Sequence, residues 1–132
     1  MAISVLLTDD EAEIRHLVRA ALGVDDRFEV VGEATNGAEA VELVREQHPD
    51  VVLLDLRMPA MNGLEAAAIF HRESPNTGIV VYSAFLTDEA KETARSMGAA
   101  ACLDKMTPIR DVVEALADAA HSPATGASPP SA

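Results

Sequence analysis

Five side chains that could do chemistry lie close behind short apolar runs: Asp9, Asp10, Asp55, Ser83 and Lys105. An ionised carboxylate at the end of a buried strand is costly unless it is paired, hydrogen-bonded or bound to a metal. Asp55 directly follows an apolar run, so this cost applies to it unless it only ends the strand, as Asp often does. Three carboxylates that meet at one point also repel, so their convergence requires a cation.

Magnesium suits these residue types because it takes a few carboxylates, keeps several waters and accepts phosphate oxygens. Beside such a metal, Ser83 and Lys105 are candidates for binding the other oxygens of a phosphoryl group, which leaves one carboxylate as the nucleophile. Asp55 is the best candidate nucleophile because it follows the central strand. The adjacent pair Asp9 and Asp10 is better placed to hold the cation.

The apolar patterns between these residues predict five strands that alternate with five helices. The strands are expected at residues 3–7, 28–34, 51–54, 78–82 and 99–103, and the helices at 11–22, 36–47, 64–73, 87–97 and 107–120. Such alternation predicts an α/β fold with an open parallel sheet covered on both faces. In the doubly wound, flavodoxin-like strand order 2-1-3-4-5, the carboxyl ends of strands 1 and 3 are neighbours, so the five side chains converge at one edge.

Composition limits the kinds of protein that this chain can be. The 132 residues fit one domain, predicted at residues 1–121, and residues 122–132 are predicted to be a linker or disordered tail. The net charge of −12 argues against direct binding to nucleic acid or to an anionic membrane. One cysteine excludes an internal disulfide, and no apolar stretch approaches the roughly 20 residues of a membrane span. We therefore expect a cytoplasmic protein without a signal peptide.

Together these motifs resemble the receiver domain of two-component response regulators, over about residues 3–120. The matching motifs are Asp9-Asp10 after strand 1, the sequence LLDLRMPAMNG around Asp55, Ser83-Ala84 after strand 4 and Lys105 after strand 5. The spacing and the NG-L-E sequence after Pro59 are most similar to the NarL/FixJ type.

The resemblance implies a phosphorylation-dependent signalling switch that uses Mg²⁺. Asp55 would take a phosphoryl group from a histidine kinase and form an acyl phosphate, Ser83 would hydrogen-bond that group, and Lys105 would pair with it. Asp10 would bind Mg²⁺ directly and Asp9 through water. The implied metal site thus comprises Asp9, Asp10, Asp55 and the main-chain carbonyl of Arg57.

The resemblance also implies how the signal leaves the domain. Movement of the loop bearing Ser83 would repack the surface made by helix 4, strand 5 and helix 5, and so change the binding partner. The implied partners are a histidine kinase or phosphotransfer protein, an output protein or a C-terminal effector domain, and a second copy in a phosphorylation-dependent homodimer. Such a domain is not an enzyme towards other substrates and catalyses only its own phosphorylation and dephosphorylation.

The sequence departs from the family pattern at two places, and two further residues bear on the lifetime of the phosphorylated state. Cys102 stands where members usually have the aromatic residue that reports phosphorylation, and it is predicted to be a small core residue. Met106 and Thr107 separate Lys105 from the proline that often follows it directly. Neither Arg57 nor Phe85 carries a carboxylate or amide that could orient a hydrolytic water, so the phosphorylated state is expected to be long-lived. The alternative is that Phe85 only fills the groove beside strand 5 and has no bearing on water.

Two other functions compete with the switch. A phosphatase of the haloacid-dehalogenase kind needs a second acid two residues after the nucleophile, and Arg57 occupies that position. A pseudo-receiver, which keeps the fold as a binding module without phosphorylation, is the stronger alternative because of Cys102.

Overall fold

A computed structural model describes residues 2–58, 60–84 and 86–121. Strands and helices alternate along the chain as β1 (Ile3–Thr8), α1 (Ala12–Gly23), β2 (Phe28–Ala34), α2 (Gly37–Gln47), β3 (Val51–Leu54), α3 (Gly63–Glu73), β4 (Gly78–Ser83), α4 (Asp88–Ser96), β5 (Ala101–Asp104) and α5 (Ile109–His121). The five strands form one parallel sheet in the order β2-β1-β3-β4-β5, which confirms the predicted flavodoxin-like topology. The predicted linker at 122–132 lies outside the described residues.

β3 is the centre of the sheet and is buried along its whole length. Val52 and Leu54 pack in the cluster that includes α2, α3 and α4, whereas Val51 and Leu53 pack with α1 and α5 on the opposite face. A strand that is covered on both faces needs apolar residues at consecutive positions, which is why this run does not alternate with polar residues. Asp55 therefore emerges directly from a strand that is buried along its whole length.

The helices that flank the site begin at capped residues. The Asn36 side chain accepts a hydrogen bond from Glu39 N at the start of α2, as the sequence predicts. Asn62 and Glu65 form a reciprocal capping box that starts α3 at Gly63, one residue earlier than expected. Gly63 N donates to Leu56 O at 3.1 Å, so the helix begins directly against the segment that follows β3.

The connection between α4 and β5 is longer than the sequence indicates. Gly98 has a φ of +96°, and Ala99 N still donates to Ala94 O at 3.0 Å, so residue 99 belongs to the turn that ends the helix. β5 consequently begins at Ala101 rather than at Ala99 and ends at Asp104. Because the strand ends at Asp104, Lys105 is the first residue after it and lies directly at the carboxyl edge of the sheet.

Candidate functional site

The predicted side chains converge at the carboxyl edge of the sheet. Asp55 N donates to Thr8 O at 3.0 Å, which joins the end of β3 to the end of β1. From the neighbouring β4, Ser83 Oγ donates to Asp55 Oδ1 at 2.6 Å. Lys105 reaches the same point from the segment after β5, so the edge brings together Asp9, Asp55, Ser83 and Lys105.

The two carboxylate oxygens of Asp55 have different surroundings. Oδ1 accepts hydrogen bonds from Ser83 Oγ and, at 3.1 Å, from Arg57 N. Oδ2 lies 3.7 Å from Lys105 Nζ, beyond hydrogen-bond distance. Leu56 N donates to Ser83 Oγ at 3.3 Å, so the hydroxyl is fixed by the backbone that follows the acid. Asp55 is only 5% exposed. One of its carboxylate oxygens is held by the Ser83 hydroxyl and the Arg57 amide, and the other faces the ammonium of Lys105.

Asp9 is the second buried acid and is 3% exposed. Its Oδ1 accepts a hydrogen bond from Glu11 N at 2.9 Å, and its Oδ2 lies 2.8 Å from Lys105 Nζ. Within the described residues this ion pair is the only polar contact of Oδ2, and its angles do not make a hydrogen bond. Burial raises the pKa of Asp9, although Lys105 and the Glu11 amide oppose the rise. Asp9 Oδ2 is therefore suited to bind a second cation in addition to Lys105.

Lys105 offsets part of the negative charge of the cluster. Its Nζ lies 2.8 Å from Asp9 and 3.3 Å from Glu11, in addition to the longer contact with Asp55. Burial alone would lower the pKa of this ammonium, but the close ion pair with Asp9 and the charge of Asp55 raise its pKa above the usual value. The Nζ also lies 5.5 Å from the ring centroid of Tyr82, within reach of a cation–π interaction.

The acids that could share one ion are not the set expected from the sequence. Carboxylate oxygens of Asp9, Glu11 and Asp55 lie within 4.8 Å of one another. Asp10 is exposed and does not belong to this group, and its role as a direct metal ligand stays a prediction. Sequence reasoning missed Glu11 because an acid in this position is also typical of a helix N-terminus. The metal role of the Arg57 carbonyl likewise stays a prediction.

The donor set fits Mg²⁺. All the ligand atoms available at the cluster are oxygens, which this hard cation prefers. Two of the three carboxylates are buried, and an ammonium is the cation that now offsets their charge. The exposed third acid leaves the cluster open to solvent on one side, where Mg²⁺ could keep its waters.

Cys102 lies on the edge strand β5 and is partly buried, so the prediction of a core residue is right only in part. Its Sγ lies 3.9 Å from the carbonyl oxygen of Lys91 in α4, and burial raises the pKa of the thiol. Phe85, to which the expected long phosphoryl lifetime was tied, lies outside the described residues.

Comparison with known proteins agrees with the fold. A family model for the response regulator receiver domain matches residues 5–117. The chain is 38% identical over 117 residues to the nitrate/nitrite response regulator protein NarL of Escherichia coli K12, covering 89% of this chain and 54% of that protein. It is 39% identical over 101 residues to protein-glutamate methylesterase/protein-glutamine glutaminase 2 of Photobacterium profundum, covering 76% of this chain and 25% of that protein.

A solved structure gives the same result at the level of the fold. The signal receiver domain of a NarL response regulator from Mycobacterium tuberculosis superposes with a TM-score of 0.87 at 36% identity, covering 91% of this chain and 97% of that one. The chain thus spans about half of the length of the Escherichia coli relative and about a quarter of the methylesterase. None of the helices described here is long and apolar enough to cross a membrane.

Proposed function

The chain belongs to the response regulator receiver domain family, and on this premise we propose that it is a signalling switch whose phospho-acceptor is Asp55. The observation that carries the proposal is the asymmetric environment of this carboxylate. Oδ1 is held by the hydroxyl of Ser83 and the amide of Arg57, while Oδ2 faces the ammonium of Lys105. A nucleophile that is held in one orientation, with a cation beside the reacting atom, favours attack on phosphorus.

The reaction moves one phosphoryl group. A carboxylate oxygen of Asp55 forms a bond to phosphorus, and the bond between phosphorus and the donor's imidazole nitrogen breaks, so the imidazole leaves with its electron pair. Lys105 then pairs with a phosphoryl oxygen, and the Ser83 hydroxyl donates to another. Mg²⁺, held by Asp9, Asp10, Asp55 and the carbonyl of Arg57, would offset the charge of the phosphoryl oxygens. We add Glu11 to these candidate ligands because its carboxylate lies in the cluster.

The same contacts support the proposed switch. In the unphosphorylated chain Ser83 is bonded to both Asp55 and Leu56 N, so its transfer to a phosphoryl oxygen releases the end of β4. A groove of about 360 Å³, lined in part by Ser83, Leu86 and Ala90, lies beside this junction and gives the segment room to move. The surface of α4, β5 and α5 would then change, although Cys102 replaces the usual aromatic reporter.

The partners proposed for this domain are those of its family. A histidine kinase or phosphotransfer protein would supply the phosphoryl group, and an output protein, a C-terminal effector domain or a second copy would respond to it. The net charge of −12 supports contact with proteins rather than direct contact with nucleic acid, and the proposed location is the cytoplasm. We propose no enzymatic activity beyond self-phosphorylation and self-dephosphorylation, because the match to the methylesterase covers only 25% of that protein.

Phosphoryl uptake tests the proposal directly. The chain is incubated with acetyl phosphate and Mg²⁺, and its intact mass is measured. We expect the wild type to gain the mass of one phosphoryl group and Asp55→Asn to gain none, since the amide keeps the shape and loses the nucleophile. Asp118→Asn, which changes an exposed acid on α5, is the matched control and should gain the group. No uptake by the wild type would contradict the proposal and favour a pseudo-receiver.

A further inference from the structure

Arg15 makes contacts that the proposed phosphoryl chemistry does not require. It lies on α1, one turn after the helix begins, and its side chain is 14% exposed. Its Nη1 donates to the main-chain carbonyl of Asp9 at 2.7 Å, and its Nε donates to Glu33 Oε1 at 2.9 Å. One guanidinium thus joins the acidic loop after β1 to the strand β2.

These contacts immobilise Asp9. Its backbone N donates to Ala34 O at 3.1 Å, and its backbone carbonyl accepts from Arg15. Its Oδ1 accepts from Glu11 N, so three of its four polar groups are fixed and the remaining oxygen, Oδ2, faces the site. The bond from Arg15 is the only one of the three that comes from a charged donor, and such hydrogen bonds are shorter and stronger than neutral ones.

Glu33 sets the orientation of the guanidinium. It lies on β2 opposite Leu7 of β1, close to the acidic loop. Its second oxygen, Oε2, accepts from Arg19 Nη1 at 2.7 Å. Arg19 therefore shares the carboxylate with Arg15, but it is 52% exposed and bonds Glu33 rather than Asp9. The two arginines differ mainly in whether they touch the acidic loop.

We infer that Arg15 is a positioning residue for the metal site, which it organises by fixing the main chain of Asp9 so that the loop carboxylates can share one divalent cation. The inference rests on the proposed Mg²⁺ binding. The competing explanation is that Arg15 only ties α1 to β2, which Arg19 also does. Mg²⁺ affinity, measured separately from stability, distinguishes the two.

Electrostatics predicts the direction in which the loss of a guanidinium should change the Mg²⁺ affinity. A guanidinium near the cluster repels an incoming Mg²⁺, so removal of its charge alone should strengthen metal binding. Removal of the bond to the Asp9 carbonyl should weaken binding because the loop must then be ordered when the metal binds. Weaker binding in Arg15→Gln thus cannot come from the lost charge.

The experiment is calorimetric titration of Mg²⁺ into the wild-type chain, Arg15→Gln and the matched control Arg19→Gln. We expect Arg15→Gln to raise the Kd about tenfold, equivalent to about 1.4 kcal/mol. Arg19→Gln, which loses the same charge and a bond to the same carboxylate, should bind as tightly as the wild type or tighter. Arg15→Lys should recover part of the affinity, since an ammonium can still donate to the carbonyl but cannot reproduce the fork.

Two results would overturn the inference: equal or tighter binding in Arg15→Gln, or equal weakening in both glutamine variants. If Arg15→Gln fails to fold, Glu33→Gln is measured instead. This variant keeps Arg15 and its bond to the Asp9 carbonyl, but the neutral amide orients the guanidinium less strongly. It should therefore raise the Kd for Mg²⁺ by a smaller factor. An unchanged Kd in that variant would also count against the inference. A wild type that shows no Mg²⁺ binding would instead refute the premise in the proposed function.

Discussion

At the scale of single residues, the site is a balance between two buried acids and one ammonium. Asp9 and Asp55 are each at most 5% exposed, and Lys105 Nζ lies 2.8 Å and 3.7 Å from their respective carboxylates. A buried charge without a partner costs several kcal/mol. The cationic side chain therefore allows the cluster to exist without metal, and each change of charge in it should be measurable as a change of stability.

The pH dependence of stability should show the cost of ionising Asp9. Burial raises its folded-state pKa above the ordinary 3.8, so the folded chain binds more protons at this position than the unfolded chain. The associated stability is present at acid pH and is lost as the pH rises through the folded-state pKa. In EDTA, we expect Asp9→Asn to gain unfolding free energy relative to the wild type as the pH rises from 3.8 towards neutrality. Urea unfolding at a series of pH values measures the difference in unfolding free energy between Asp9→Asn and the wild type. A gain for Asp9→Asn that shrinks as the pH rises would contradict this account.

At the scale of elements, the position of α3 depends on a residue without a side chain. A Cβ on Gly63 would lie 2.6 Å from Leu56 Cα and even closer to the carbonyl oxygen of Asp55. Both neighbours are backbone atoms, so neither can rotate away. The helix can therefore begin beside Asp55 only because glycine stands at its first position.

Gly63→Ala should therefore disturb both the fold and the site. We expect a loss of about 1–3 kcal/mol in unfolding free energy, because the backbone must shift to relieve the overlap. Phosphoryl uptake from acetyl phosphate should slow as well, since the shift displaces Asp55. Gly23→Ala is the control because an added Cβ there meets nothing within 4 Å, and alanine near a helix end should be neutral or stabilising. Equal melting temperatures for the two variants would show that α3 adapts freely.

The single thiol reports on the contact between α4 and β5. Cys102 is partly buried and its thiol pKa is raised, so alkylation of the unphosphorylated chain should be slow. If phosphorylation moves α4 away from β5, the thiol becomes more exposed and should react several times faster. The rate of labelling is measured with and without acetyl phosphate and Mg²⁺, with Asp55→Asn as the control that should not respond. An unchanged rate in a fully phosphorylated wild type would place the conformational change elsewhere.

The sequence predicted the elements better than their ends. The topology and four converging site residues follow from apolar periodicity and parallel-sheet geometry, and the caps at Asn36 and Thr87 follow from residue type. The late start of β5 depends on the positive φ of Gly98, which the spacing of apolar residues does not predict. Glu11 was missed for a related reason, since its approach to Lys105 depends on packing between segments 94 residues apart.

At the scale of the whole molecule, the proposed metal binding should be coupled to folding, because the cluster joins the ends of β1 and β3 and reaches the end of β5 through Lys105. An ion that binds only the folded chain stabilises it by about 2.7 kcal/mol at a concentration of 100 times the Kd. For a domain of this size we expect the melting temperature to rise by roughly 4 °C for each kcal/mol of stabilisation.

The Mg²⁺-dependent melting shift also decides which acids bind the metal. Asp10→Ala should reduce the shift if this exposed acid is a direct ligand, and Glu11→Ala should reduce it if the observed cluster is the metal site. Asp118→Ala changes a distant acid and should behave as the wild type. The full shift in Asp10→Ala would remove that residue from the site and leave Asp9, Glu11 and Asp55.

The residues of the site are spread along almost the whole described chain, from Asp9 near its start to Lys105 near its end. During synthesis, a nascent chain that has not yet emerged past β4 carries the acids and the serine but lacks the ammonium that balances them. The carboxyl edge of the partly synthesised sheet would carry the charges of Asp9, Glu11 and Asp55 without the ammonium of Lys105. Under the proposed function, competence to take up a phosphoryl group would thus arrive only after β5 and Lys105 have been synthesised.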